Sequence, residues 1–307
     1  MMKESLESFA NEVINVLETR FPHVFRNAEF HVQTVSKPGN VMLTGISIRL
    51  NGPVAPIFYV NSDYEAHRSA MDTAVDIAEK IANDMEIPQI SAELITDWNS
   101  FASQNVVPRL ISSVPGRNDQ YLRERVKTRL CDGIAVIYDI VLPGQHADAS
   151  MSVPVTRGLM HIWEVSPQQI HEAAIKNGPR LRPFKIASLA SVLAEMMGIP
   201  FVPSELEVGP AMDILTVEGS SYGAAAILYP EVQRILAERY SNCCLLPSSI
   251  CEWLIVDKSA GIEVNQLLDM VMSVNTNEVQ PEDFLADDVL TLDQNGKLVS
   301  AIEGGRR

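Results

Sequence analysis

Residues 29–60 read EFHVQTVSKPGNVMLTGISIRLNGPVAPIFYV, and this stretch decides the fold class. Three β-prone runs, Glu29–Val35, Met42–Leu50 and Pro56–Val60, are separated by Lys37-Pro38-Gly39-Asn40 and by Asn51-Gly52-Pro53. Such Pro, Gly and Asn clusters are strong turn signals between strands, so the spacing predicts an antiparallel meander. In the middle run Met42, Leu43, Ile46, Ile48 and Leu50 mix with polar residues, as a half-buried strand requires. Upstream, Leu6, Phe9, Ala10, Val13, Ile14, Leu17 and Phe21 recur at three- and four-residue spacing, one face of a helix that Pro22 limits. Downstream, a second helix is expected from about Asp63 to Asp84, with Met71, Val75, Ala78, Ile81 and Ala82 inward. Helix, meander and helix make a compact unit, so the fold class is α+β with antiparallel sheets.

The rest of the chain extends this pattern. Pro108 interrupts a β-prone run at 98–114, and Tyr121–Leu130 reads as a short basic helix or strand. Gly133–Leu142 (GIAVIYDIVL) is almost wholly apolar and should be a central strand, with Ala149–Thr156 returning beside it at an edge because of Pro154. Ser166-Pro167-Gln168-Gln169 has the cap, proline and glutamine of a capping box, opening a helix expected to end near Asn177-Gly178-Pro179. Another helix is expected from about Ile186 to Met197. Strands are expected at Met212–Val217, Ala224–Leu228, Cys243–Leu246 and Glu252–Val256, helices at Pro230–Tyr240 and Ile262–Val274, and a hairpin around Asn295-Gly296. At roughly 150 residues per domain, 307 residues divide into an N-terminal unit, 1–105, and a larger mixed part, 106–307. Prolines at 200, 203 and 210 mark a further boundary near 198–211.

Composition excludes several classes. Apolar residues at 46% and charged residues at 21% are ordinary for globular proteins and exclude wholesale disorder, collagen repeats and a disulfide scaffold. The net charge of −15 argues against a general binder of nucleic acid or anionic membrane. That charge is uneven: 1–105 carry −7, 106–190 carry +4 and 191–307 carry −12. The N-terminal residues run into an amphipathic pattern without a signal-peptide core, and no window reaches the roughly 18 apolar residues of a membrane span. A cytoplasmic location with no membrane contact is therefore expected. The four cysteines, Cys131, Cys243, Cys244 and Cys251, contain no C-x-x-C pair, so reduced thiols and no disulfides are expected.

Val41–Ile46, Ala55–Val60, Asp132–Leu142, Trp163–Ser166, Glu172–Asn177, Tyr222–Ala225, Leu228–Pro230 and Leu246–Ile250 together resemble an uncharacterised bacterial family, the domain-of-unknown-function family numbered 5688. The likeness runs in order through nearly the whole chain, which implies one family-wide architecture. The layout is more distantly similar to the YtpQ family. Neither resemblance implies an activity, a ligand or a cofactor. Where the first family's pattern implies histidine before glutamate in Ser-Ser-Ile-x-Glu, this chain has Cys251, which weakens an enzymatic reading.

Three constellations invite chemistry. Cys251 or Cys243 could serve a thiol-dependent hydrolase or transferase, but a thiolate needs a base and a lowered pKa, and no histidine follows His171. Buried structural cysteine is the preferred reading. The basic stretch holds Arg109 and then Arg117, Arg123, Arg125, Lys127 and Arg129; on a strand, the alternating last four would share a face and could take an anionic ligand, nucleotide or nucleic acid. A solvated face, or an internal partner for the acidic ends, is the plainer reading. The acidic run Glu278, Glu282, Asp283, Asp287 and Asp288 lacks calcium-loop spacing and reads as a solvated surface or a nucleic-acid mimic. The six histidines show no metal-ligand spacing. With no coherent catalytic set and no cofactor motif, the leading expectation is a non-enzymatic binding or protein-interaction module with a protein partner.

Overall fold

The computed structural model describes residues 5–50, 55–84, 92–142, 152–199, 212–219, 222–247 and 249–302. The polypeptide divides into two compact units, Met1–Asp97 and Trp98–Arg307, and both are α+β.

In the first unit, the helix Leu6–Arg20 starts where the Ser5 hydroxyl accepts the Ser8 amide N–H at 3.1 Å. Strands β1 (Glu29–Ser36), β2 (Met42–Arg49) and β3 (Ile57–Tyr59) form the expected antiparallel meander in that order. Gly39 makes the first turn at φ 77°, a conformation that suits glycine; the second turn, 51–54, lies outside the described residues. The expected second helix is two helices, Asn61–Glu65 and Ala70–Glu79. His67 breaks the run at φ 55°, and the Ser69 hydroxyl caps the second piece by accepting the Asp72 N–H. That break also shifts the buried face to Ala70, Thr73, Ala74, Ile77 and Ala78, leaving Met71 exposed. Phe9, Val13 and Leu17 pack with Ile46, Ile48, Ala74 and Ile77 in the core.

The second unit carries two sheets. The first joins β4 (Val106–Ser112), β5 (Lys127–Cys131), β6 (Ile134–Val141) and β7 (Ser152–Pro154), with β6 central as its apolar sequence requires. Pro108 is accommodated because β4 is an edge strand, where a missing N–H breaks no ladder bond. The second joins β8 (Phe184–Ser188), β9 (Met212–Val217), β10 (Cys243–Leu246), β11 (Trp253–Asp257), β12 (Leu290–Leu292) and β13 (Leu298–Ser300), in the order β13-β12-β10-β11-β9-β8. Two expectations shift here. Residues 184–188, the last three of them expected as helix, pair with β9 as a strand, and the helix is confined to Leu189–Met197. Ala224–Leu228, expected as a strand, belongs to a fully buried 3-10 helix, Gly223–Leu228. The expected boundary at 198–211 falls mostly on residues outside the described set.

The helix Pro167–Leu181 opens with the expected capping box on Ser166 and Gln169, but runs through Gly178-Pro179. It continues because it is clamped to β4. Asn177 Nδ2 donates to the carbonyls of Ser103 at 2.8 Å and Val106 at 3.0 Å, and Gly178 lies so close to Tyr229 that a Cβ there would sit 2.4 Å from its ring. That extension carries the chain end of the helix to Arg182.

Candidate functional site

The basic stretch does not form one four-residue stripe. Arg123 lies on the turn closing the helix Asp119–Leu122, before any strand begins. Arg125 bridges Thr156 and lays its guanidinium over the Tyr121 ring at 4.5 Å. Lys127 and Arg129 alternate on β5, opposite Ile137 and Ala135, and so share one face; Arg129 is paired with Asp132. Arg117, farther back, sits over the Phe284 ring at 4.1 Å.

None of the four cysteines forms a disulfide, and burial raises each thiol above its ordinary range. Cys243 is buried on β10, its thiol pushed up to about 11 by burial and by Cys244. Cys251 is half-buried and also raised, by burial and then Glu252. Its amide N–H donates to Ser249 Oγ at 2.9 Å and its carbonyl accepts from Thr216 Oγ1 at 2.9 Å. His171 is hydrogen-bonded elsewhere, with its Nδ1 3.0 Å from the Tyr138 hydroxyl, which in turn meets Thr128 at 2.7 Å.

A different group of polar residues converges inside the second unit. Register pairs Arg109 on β4 with Ile137 and Val107 with Asp139 on β6, so Arg109 and Asp139 lie diagonally on one face of the sheet. Arg109 Nη1 stands 3.8 Å from Asp139 Oδ2, an ion pair beyond hydrogen-bond reach. Arg182 comes in at the end of the helix Pro167–Leu181, where its amide N–H donates to the Gly178 carbonyl at 2.8 Å. Both guanidinium groups meet the ring of Tyr222, Arg109 at 3.9 Å and Arg182 at 5.5 Å. Arg182 is 5% exposed, Arg109 8% and Asp139 1%.

Close backbone packing holds Tyr222 there. A Cβ on Gly223 would fall 2.2 Å from the Cys251 carbonyl oxygen and 2.2 Å from Thr216 Oγ1, so glycine alone lets these segments meet. Ala224 N–H donates to the Ile250 carbonyl at 3.1 Å, and Trp253 Nε1 donates to the Ala224 carbonyl at 2.7 Å. On the other side Ile250 N–H donates to the Asp283 carbonyl at 2.9 Å, bringing Asp283 beside Arg109. Ser249 Oγ donates to Glu252 Oε1 at 2.8 Å. Tyr222, Cys251, Glu252 and Asp283 are half-buried around the two deeply buried arginines.

The electrostatics separate the two cations. Burial works to lower Arg109, but Asp139, Tyr121, Tyr222 and Asp283 outweigh it, and its pKa is raised. Arg182 is lowered: burial dominates, Asp139 and Tyr229 oppose it, and the Arg109 charge adds to it. Asp139 thus serves Arg109 first and leaves Arg182 under-compensated. Burial raises the Glu252 carboxyl, with Asp283 adding and Ser249 opposing, and Asp283 is raised by burial and Glu282.

Hydrogen bonding is incomplete in the same place. Among the described residues, ten buried side-chain N or O atoms have no hydrogen-bond partner, and five belong to this group: Arg109 Nε, Arg182 Nε and Nη1, Asp139 Oδ2 and Tyr229 Oη. Tyr229 is fully buried and acts on Arg182, its hydroxyl pushed up to about 12 by burial. Buried polar groups are nearly always bonded, so such a concentration calls for an explanation.

Of this group, Arg109 and Asp283 stood out in the sequence as members of charged runs; Arg182, Asp139, Tyr222 and Tyr229 did not. Asp139 carried a signal, a lone carboxylate inside the apolar GIAVIYDIVL run. Among the described residues no group of three or more His, Cys, Asp or Glu could hold a metal ion, and no helix is long and apolar enough to cross a membrane. A separate cavity of about 360 Å³, lined by Leu130, Ile227, Leu236, Leu292, Lys297 and Leu298, lies by the β12–β13 hairpin.

No curated protein and no solved structure matches the chain, and nothing found supports the more distant likeness to the YtpQ family. Residues 6–294 match the model of a family of unknown function, DUF5688, and the chain belongs to that family.

Proposed function

We propose that the protein is a non-enzymatic binding protein working through the unit Trp98–Arg307. The observation that carries this reading is the buried Arg109–Asp139–Arg182–Tyr222 group, which offers fixed donors without an activated nucleophile beside them. Binding sites need preorganised polar groups; covalent catalysis needs in addition a nucleophile with a partner base. Cys251 is the thiol nearest to such a role, and burial and the Glu252 charge push it away from the thiolate. The exposed basic stretch supports nucleic-acid binding less well, since Arg117, Arg125 and Arg129 are already engaged by Phe284, Tyr121 and Asp132.

The test is the rate of alkylation of each cysteine by iodoacetamide, followed by peptide mass spectrometry from pH 6 to pH 10, in native and urea-unfolded protein. A binding protein of this kind alkylates more slowly at every cysteine when native. Faster alkylation of native Cys251 than of the unfolded thiol below pH 8 would mark an activated nucleophile and overturn the reading.

A further inference from the structure

We propose that the Arg109 and Arg182 guanidinium groups, beside Tyr222 and Tyr229, form a binding site for the oxyanion group of a small molecule, a carboxylate or a phosphoryl group. This deepens the binding reading and rests on it.

Burial and bonding are mismatched at this group. Two arginines more than nine-tenths buried present Nε of Arg109, and Nε and Nη1 of Arg182, without an acceptor among the described residues. Arginine cannot discharge this burden by losing its proton. Its ordinary solution in a protein interior is a carboxylate or phosphate taken bidentately by the planar fork. Asp139, the one buried carboxylate among the described residues, stands 3.8 Å from Arg109, and its Oδ2 is itself unbonded. Two cations face that one anion within the buried trio, and the half-buried Asp283 acts on Arg109, so Arg182 is the cation left for a bound oxyanion to neutralise. The Tyr229 hydroxyl, fully buried and unbonded near Arg182, adds a further donor of the kind an oxyanion accepts.

The surroundings suit a ligand as well. The Tyr222 ring has both guanidinium groups within 6 Å of its centre, which helps to hold them in place before any ligand arrives. The half-buried rim of Tyr222, Cys251, Glu252 and Asp283 is where the rest of a small molecule would emerge. Asp283 beside Arg109 disfavours a long polyanion such as nucleic acid, whose neighbouring phosphates it would repel.

The experiment is a titration of the full-length ¹⁵N-labelled protein, following the arginine Nε–Hε resonances. Sodium acetate and sodium phosphate are each compared with sodium chloride at equal ionic strength, and Arg182→Met and Arg182→Lys assign the signals. Movement of both the Arg109 and Arg182 signals to saturation supports the site, and the anion that acts at lower concentration tells carboxylate from phosphoryl recognition. Arg182→Lys, which keeps the charge but loses the fork, should weaken binding by about tenfold or more, the loss of a charge-assisted hydrogen bond or two. The site is overturned if neither anion moves the two signals beyond chloride, or if Arg182→Met leaves the Arg109 shift unchanged. With cysteines that stay unreactive, such a failure removes the oxyanion and leaves the broader binding reading standing.

Discussion

Arg182→Met should make the ligand-free protein more stable. The substitution keeps the apolar stem and removes a guanidinium that is 5% exposed, whose Nε and Nη1 find no acceptor. Each buried donor left unbonded costs about 1–3 kcal/mol. Against this stands the contact with Tyr222, at 5.5 Å near the outer limit of a cation–π interaction and so worth about 0.5 kcal/mol. Removing Arg182 also relieves its repulsion with Arg109 and leaves Asp139 a single cation to neutralise. Replacing buried ionic groups by apolar ones of similar volume is often neutral or stabilising by about 1–4 kcal/mol, and with the unbonded donors removed a net gain of about 1–3 kcal/mol is expected here. Urea unfolding followed by tryptophan fluorescence measures it cleanly, because all three tryptophans, Trp98, Trp163 and Trp253, lie in the second unit. The midpoint should rise with an unchanged slope. A loss of more than about 1 kcal/mol, the size of an ordinary protein hydrogen bond, would mean that Arg182 is a satisfied structural residue and would refute the reasoning.

Other substitutions should act in the opposite direction. Asp139→Ala leaves Arg109 and Arg182 buried without their carboxylate and should cost about 3–5 kcal/mol in the same urea experiment; a neutral result would show that the pair is not electrostatically coupled. Gly223→Ala places a methyl 2.2 Å from the Cys251 carbonyl and 2.8 Å from the Val217 nitrogen, both backbone atoms, and should cost about 3 kcal/mol; ordinary stability would contradict the close approach. His171 gives a pH dependence. Burial lowers its pKa below 6.5, so the unfolded chain takes up the proton first as pH falls. Its contribution is intact above pH 6.5 and is lost as pH drops from there through the folded value. Relative to wild type, His171→Phe should therefore lose less stability between pH 7.5 and pH 5; an equal or larger loss would refute the assignment.

The parts of the fold legible in the sequence were those fixed by local chemistry. The Ser166–Gln169 capping box, the turns around Gly39 and Gly296 and the apolar strand β6 all announce themselves within a few residues. Where tertiary contacts override local preference, the structure departs from the local signal. Pro179 stays helical because Asn177 and Gly178 are clamped to β4 and Tyr229. Gly223–Leu228 has strand-like composition but coils tightly, since Ala224 must reach both Ile250 and Trp253. The acidic run has the composition of a solvated surface, yet Asp283 faces Arg109, Asp287 accepts from Asn275 and Asp288 accepts from Ser300. The candidate site was hidden for the same reason. Arg109, Asp139, Arg182 and Tyr222 are separated by tens of residues, and no short motif contains any two of them. A buried charge in an apolar run, as at Asp139, is the one local sign that such a site leaves.

The most direct measurement is a comparison of urea midpoints for wild type and Arg182→Met, with and without acetate or phosphate at constant ionic strength. If the buried arginines are kept for an oxyanion, wild type begins below the variant and rises with the anion, because a ligand that binds the folded state alone stabilises it. The variant should then show no more than the general salting effect of that anion. Parallel responses in the two proteins, or a variant less stable throughout, would contradict it.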